Sequence, residues 1–272
     1  MSPPVSTRMD QVGRAKSGDG TLIAYRRTGL DGPPVIMVGG AFSTAAAQAP
    51  LAALLAPRFS VITYDRRGRG GSGDTAPYSV EREVEDIAAL LTEAGGSASV
   101  YGVSSGAALA LEAAATGLPI TQLAVYEPPY DTGAAGGADR SAFTARLDDL
   151  LSRGRRDEAV ELFLSVVGVP PDVVAGMRRA AMWRGMTAVA HTLAYDNAVV
   201  GPGPVPTERL ARITARVMVV DGGASPPPTR VAARAVAEAL PRGRHRTLTG
   251  QIHEVAPHVL APVLEEYFAA AA

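Results

Sequence analysis

The chain has 272 residues, 47% of them hydrophobic, and its 26 basic side chains nearly balance 27 acidic ones. That size suits one large α/β domain or two small ones with a sizeable core, and the composition argues against global disorder. A net charge of -1 gives no electrostatic ground for nucleic acid or an anionic membrane as partner, and the lack of cysteine excludes disulfides, thiolate metal sites and cysteine nucleophiles.

The first residues, MSPPVSTRMDQVGRAKSGDG, hold no apolar run of the kind that heads a secretory signal. No stretch approaches about 18 uninterrupted apolar residues. A cytoplasmic chain outside the membrane is therefore expected. Strands are expected near Gly13–Ser17 and Thr21–Arg27, joined by the turn sequence SGDG. PPVIMVGG is a short apolar run closed by glycines, as a strand buried on both faces should be. A helix from about Ala45 to Leu55 follows, then the strand FSVITYD and the glycine-rich loop RRGRGGSGD. That loop lacks the Gly-Lys-Ser/Thr ending of a phosphate loop, so its arginines and glycines are read as loop structure.

EREVEDIAALLTEAG spaces its apolar residues for a helix and starts with acidic ones, which suits the helix dipole. SVYG is the next strand, GAALALEAAATG a small-residue helix ended by glycine, and LAVYEPP a strand stopped by its prolines. From about Ala134 to Val200 strand runs give way to helical ones: ARLDDLLSRG, DEAVELFLSVVG, PDVVAGMRRAAMW and MTAVAHTLAYDNAVV. Strand pattern resumes with ARVMVVDGG and RHRTLTG, flanking a helix near Val231–Leu240 and followed by a last helix from about Ala261. Alternation of strand and helix implies a parallel sheet. The economical organisation is a core of residues 1–131 and 205–272 with a helical insert, 132–204, bounded by the Ala/Gly-rich Thr132–Ala138 and by GPGPVP at Gly201–Pro206.

Gly102-Val103-Ser104-Ser105-Gly106 lies between a strand and a helix. A Gly-x-Ser-x-Gly sequence in that context is a nucleophile elbow, in which the turn is so sharp that the serine is strained and the glycines give room. Ser104 takes the nucleophile position, and Ser105 opens the helix with its backbone N–H toward an oxyanion. The pentapeptide by itself equally fits a plain turn with serine as helix N-cap.

Four stretches in order carry a resemblance to the α/β-hydrolase-fold superfamily over nearly the whole chain. PPVIMVGGAFS stands at its oxyanion loop, YDRRGRGGSGD resembles its D-x-R-G-x-G-x-S signature, VYGVSSG its elbow, and GQIHEVAP the segment of its late histidine. The resemblance implies an α/β-hydrolase fold: a mostly parallel central sheet flanked by helices, with an all-helical cap after strand six. It implies His253 as general base and the Ala41 N–H as second oxyanion donor beside that of Ser105, with Asp65 structural. Of the other histidines, His245 and His258 are expected to be solvated, and the four together are too scattered in sequence to suggest a metal cluster.

The acid departs from the family pattern. Its usual window beyond strand seven reads Gly222, Gly223, Ala224, Ser225, with no carboxylate after Asp221. A known variation of the fold carries the acid at the end of strand six, here Glu127. Glu127 is favoured, Asp221 comes second, and a histidine without an acid is the third possibility. In the insert, Trp183, Met186, His191 and Tyr195, with Phe42 from the oxyanion loop, are candidates to line a substrate pocket, though such residues also serve as core. His191 and Asp196, five apart, are not read as a second dyad.

The leading expectation is a serine hydrolase acting on a small-molecule ester, thioester, lactone or amide, with no metal or organic cofactor. A second is a non-hydrolytic cyclase, lyase or acyltransferase using the same Ser/His site. A third is a catalytically silent binding protein.

Overall fold

The computed structural model describes residues 11–29, 32–132 and 136–270, with the side chains of 136–139 left aside. The first ten of the residues read for a signal, part of the Thr132–Ala138 boundary and the last two alanines lie outside the described residues. The strands are β1 (Gln11–Lys16), β2 (Leu22–Thr28), β3 (Pro34–Val38), β4 (Ser60–Tyr64), β5 (Ala98–Val103), β6 (Ile120–Tyr126), β7 (Arg216–Gly222) and β8 (Gly243–Leu248). They form one sheet in the order β1-β2-β4-β3-β5-β6-β7-β8. β1 and β2 form an antiparallel hairpin and β2 pairs antiparallel with β4; the five remaining pairings are parallel.

The sheet is covered on both faces, and the residue period of two sorts the core. Ile36, Val38, Val100, Leu123, Val125, Val217 and Val219 share one apolar cluster. Their neighbours Val35, Met37, Tyr101, Ala124, Tyr126, Met218 and Val220 share the other. Against the first pack α2 (Val80–Glu93), α3 (Ser105–Ala115) and α10 (Pro227–Ala239); against the second pack α1 (Ala45–Leu55) and α11 (Pro257–Ala269). α2 buries Ile87, Leu90 and Leu91 from one face, with Glu81 and Glu83 in its first turn, as its sequence predicts.

Between β6 and β7 the chain is helical: α4 (Gly136–Ser152), α5 (Arg156–Val166), α6 (Pro171–Arg179), α7 (Met182–Ala188), a 3-10 turn (Ala190–Thr192) and α8 (Leu193–Val200). Two runs read as continuous helices are interrupted. Ala180 is extended (φ −86°, ψ 153°) and separates α6 from α7, and the 3-10 turn divides MTAVAHTLAYDNAVV. A short helix α9 (Thr207–Leu210), absent from the sequence reading, follows. The chain leaves and returns at one point, where Asp131 N–H donates to the Gly203 carbonyl at 2.7 Å. α4 to α7 pack around two apolar clusters of their own, one with Leu147, Leu150 and Ala159 and one with Val160, Trp183 and Met186. α8 bridges the two layers: Leu193 lies in the first of these clusters, while Val199 and Val200 join the core cluster on the sheet. No helix among the described residues is long and apolar enough to cross a membrane.

Candidate active site

The C-terminal ends of β3, β5, β6, β7 and β8 lie along one edge of the sheet, where ligands of open α/β sheets bind. Ser104 follows β5 and starts α3 with φ 57° and ψ −127°. A positive φ in a non-glycine residue costs about 1–3 kcal/mol and persists only where the surroundings impose it. Here the flanking glycines impose it by close approach. A Cβ on Gly106 would stand 2.4 Å from the Val38 carbonyl oxygen, and one on Gly102 would stand 2.5 Å from the Gly106 carbonyl oxygen. Larger residues would push α3 off the sheet and relax the turn.

The loop after β3 comes to the same place. A Cβ on Gly40 would lie 3.0 Å from Ser104 Cβ, so the Gly40–Ala41 backbone runs beside the serine. Phe42 also has a positive φ of 58°, and its ring meets Phe163 of α5 edge-on at 5.3 Å between centroids. Ser105 is buried, and its hydroxyl donates to Asp196 Oδ1 at 2.7 Å.

Glu127 follows β6, next to Ser104 in the sheet, since Val103 and Tyr126 are paired residues of β5 and β6. It too has a positive φ, 46°, and its side chain is fully buried. Oε1 accepts the Gly222 N–H at 2.8 Å, while Oε2 lies 2.6 Å from Nδ1 of His253. Burial alone would raise the Glu127 pKa, but the bonds from His253 and the Gly222 N–H help to outweigh it and hold the carboxyl below its usual range. His253 sits in the loop between β8 and α11, with its side chain about half exposed. The Tyr126 hydroxyl anchors that loop by donating to the Ile252 carbonyl at 2.6 Å.

Gly222 gives this loop its seat, because a Cβ there would fall 2.3 Å from the Gln251 carbonyl oxygen. Gly222→Ala should therefore displace the histidine loop. We expect a melting temperature lowered by several degrees, about 2–4 °C per kcal/mol at this size, and His253 moved from Glu127. Thermal unfolding and the imidazole N–H NMR signal check this; an unchanged signal would count against the packing argument.

The structure thus brings together Ser104, Glu127, His253, Ala41 and Ser105 near one end of the sheet. Asp221 goes elsewhere: its buried carboxylate is 2.9 Å from Nε2 of His245. The expectation that His245 is solvated is corrected, because β8 pairs it with Val219, two residues before Asp221 on the same face of β7. His258 is exposed, as expected. Trp183 and Met186 are buried in the helical segment, the indole N–H bonded to Asp157, and Phe42 packs against their cluster. His191 and Tyr195 meet the glycine-rich loop, where Asp74 Oδ2 is 3.3 Å from His191 Nε2 and accepts from the Tyr195 hydroxyl at 3.0 Å. Asp65 is structural, accepting the N–H groups of Ala45 at 2.8 Å and Gly71 at 2.7 Å.

The sequence reading missed how the arginines of that loop are used. Arg66, Arg67 and Arg69 are all buried. Arg67 pairs with Asp86 and Asp19, Arg66 with Glu83 and Asp196, and Arg69 with Asp196. Three arginines directly after the apolar strand FSVITYD were a signal, since guanidiniums that cannot reach water require buried carboxylates. Glu83 and Asp86, on the buried face of α2, were candidates legible in the same way. No group of three His, Asp or Glu suited to a metal ion occurs among the described residues.

Comparison with known proteins agrees with this architecture. No curated protein matches the chain. Among solved structures it is similar to an alpha/beta hydrolase from Sphaerobacter thermophilus, at 55% identity, 94% of this chain, 100% of that one and a TM-score of 0.87. A 2-hydroxy-6-oxo-6-phenylhexa-2,4-dienoate hydrolase from a Rhodococcus strain shares the fold at 21% identity (97% and 100% of the two chains, TM-score 0.70). So does a thermophilic esterase from Thermogutta terrifontis at 20% identity (96% and 99%, TM-score 0.71). The family model described as alpha/beta hydrolase family matches residues 35–270, which span the loop after β3, the turn at Ser104 and the loop that carries His253, and the chain belongs to that family.

Proposed function

We propose that this protein is a serine hydrolase that cleaves small-molecule acyl compounds (esters, thioesters, lactones or amides) with Ser104, His253 and Glu127 as its triad. One observation carries the reading: the 2.6 Å contact between His253 Nδ1 and a buried, ionised Glu127, beside a serine in strained elbow geometry. A carboxylate on Nδ1 keeps the proton there and leaves the Nε2 lone pair free as a base.

In the proposed cycle Ser104 Oγ attacks the acyl carbon as its proton passes to His253 Nε2, and the carbonyl π electrons move onto oxygen. The Ala41 and Ser105 N–H groups stabilise that oxyanion. Collapse expels the leaving group, which takes the proton from His253. Water, deprotonated by His253, then attacks the seryl ester and frees the acid and Ser104. Water is the only co-reactant, so the chemistry calls for no metal or organic cofactor. Residues 132–204 act as a cap over the site: Phe42 of the oxyanion loop packs onto Phe163, and Trp183 and Met186 back that contact. Those apolar surroundings favour an uncharged acyl group.

The test is incubation with a fluorophosphonate probe, intact-mass measurement and peptide mapping, followed by turnover of p-nitrophenyl esters of graded chain length. Labelling at Ser104 with ester turnover is expected. An unlabelled Ser104 would overturn the reading, and labelling without hydrolysis of any ester would favour the cyclase, lyase or acyltransferase alternative.

A further inference from the structure

Asp196 belongs to α8, in the helical segment between β6 and β7, but its carboxylate is buried among groups of the sheet edge. Oδ1 accepts from Ser105 Oγ at 2.7 Å, from Arg66 Nη1 at 2.7 Å and from Arg69 Nη2 at 2.9 Å. Oδ2 accepts from Arg69 Nη2 at 2.8 Å. The same guanidiniums reach the loop after β3. Arg69 Nη1 donates to the Gly40 carbonyl at 2.7 Å and Arg66 Nη1 to the Gly39 carbonyl at 3.3 Å. Glu83 holds the other edge of Arg66 with two bonds of 2.7 Å. Two guanidiniums thus face two carboxylates, and the buried cluster balances.

A peptide unit is planar and trans, so its C=O and N–H point in opposite directions. The Gly40 carbonyl and the Ala41 N–H are the two ends of one such unit. Holding that carbonyl against Arg69 therefore aims the Ala41 N–H away from Arg69, and a charged donor on the carbonyl polarises the N–H as well. Ser105 Oγ, tied to the same carboxylate, pins the residue whose N–H is the other donor. Both oxyanion donors are anchored through one side chain, supplied by the helical segment.

We propose that Asp196 is a positioning residue for the oxyanion hole: acting through Arg69 and Ser105, it sets the direction of the Ala41 and Ser105 N–H groups and makes their alignment depend on the seating of α8. This inference rests on the serine-hydrolase reading above. Stability alone is a poor explanation for such a cluster, since buried ion pairs often contribute little beyond what apolar packing would. A positioning role also differs in what it alters. Misaimed donors weaken binding of the tetrahedral state while leaving substrate binding nearly intact.

The experiment uses p-nitrophenyl butyrate for kcat and KM, and a trifluoromethyl ketone, which adds to the serine as a tetrahedral oxyanion, for Ki. Asp196→Asn is expected to lower kcat about 10- to 100-fold and to raise the ketone Ki by a similar factor, with KM within about threefold. Ser105→Ala, which loses the bond to Asp196 and the 3.3 Å bond from Arg66 Nη1 and strands no charge, should move both in the same direction by about 3- to 10-fold. A folded Asp196→Asn enzyme with unchanged kcat and Ki would overturn the proposal. If that variant has no cooperative melt, Ser105→Ala decides, and unchanged kcat and Ki there overturn it. A wild-type enzyme that the fluorophosphonate does not label at Ser104 would remove the hydrolase reading and this inference with it. Labelled wild type with unaltered variants removes this inference alone.

Discussion

Ser104→Ala is expected to eliminate fluorophosphonate labelling and to lower ester turnover by about 10⁴- to 10⁶-fold, with the fold intact. The adjacent Ser105 is no substitute. Its residue is buried and its hydroxyl is committed to Asp196 at 2.7 Å, so it offers neither access nor a free proton to give. The backbone at position 104 is held in its positive φ by the approach of Gly106 to β3, which is independent of the serine hydroxyl. Alanine should therefore leave the melting temperature within a few degrees of wild type. Intact mass, with circular dichroism for the melt, checks both parts. A mass shift that persists in Ser104→Ala would sink the nucleophile assignment.

Glu127→Gln carries the second large effect, a loss of about 10²- to 10⁴-fold in kcat. The amide fills the same volume, and its oxygen can keep the Gly222 N–H bond made at 2.8 Å in the native site. Its NH₂ would then face His253 Nδ1, which must become an acceptor, and the proton moves to Nε2, where it blocks attack by serine. Near-normal turnover in a folded Gln variant would eliminate Glu127 as the acid. The same substitution has a signature in stability. The folded-state pKa of Glu127 is lowered, so its contribution is present above the ordinary carboxyl range near about 4.3 and is lost as pH falls through the folded value. Over that acid window the wild-type melting temperature should fall more steeply than that of Glu127→Gln. Parallel curves would contradict the carboxylate's assignment as an ionised acceptor.

How far each feature could be read in advance depended on how local its cause is. The elbow was legible because strand, turn and helix succeed one another within a few residues, and the contact that demands Gly102, with the Gly106 carbonyl, lies inside that turn. The parallel strands were legible because burial on both faces writes an unbroken apolar run such as PVIMV. The breaks at Ala180 and in the 3-10 turn were not, since an Ala-rich segment has ample helix propensity and its interruption is imposed by packing. Choosing between Glu127 and Asp221 was harder again. Both end buried strands of the same sheet, and the difference lies in which histidine each meets: His253, 126 residues away, for Glu127, and His245, 24 residues away, for Asp221.

Asp196 marks the far limit. From its neighbours it is one acidic residue in an apolar helix, and its partners Arg66 and Arg69 are 130 and 127 residues distant. The sequence by itself determined the strand-turn-helix at Ser104, the parallel strands that set the sheet edge beside it and the chain order of Ser104, Glu127 and His253, because these follow from period, turn chemistry and chain direction. Only the tertiary structure decided which carboxylate holds His253 and which holds the arginines that reach the loop after β3. Hydrogen-bond partnership between residues this far apart is set by the relative placement of whole strands and helices, and no local pattern of residues encodes that.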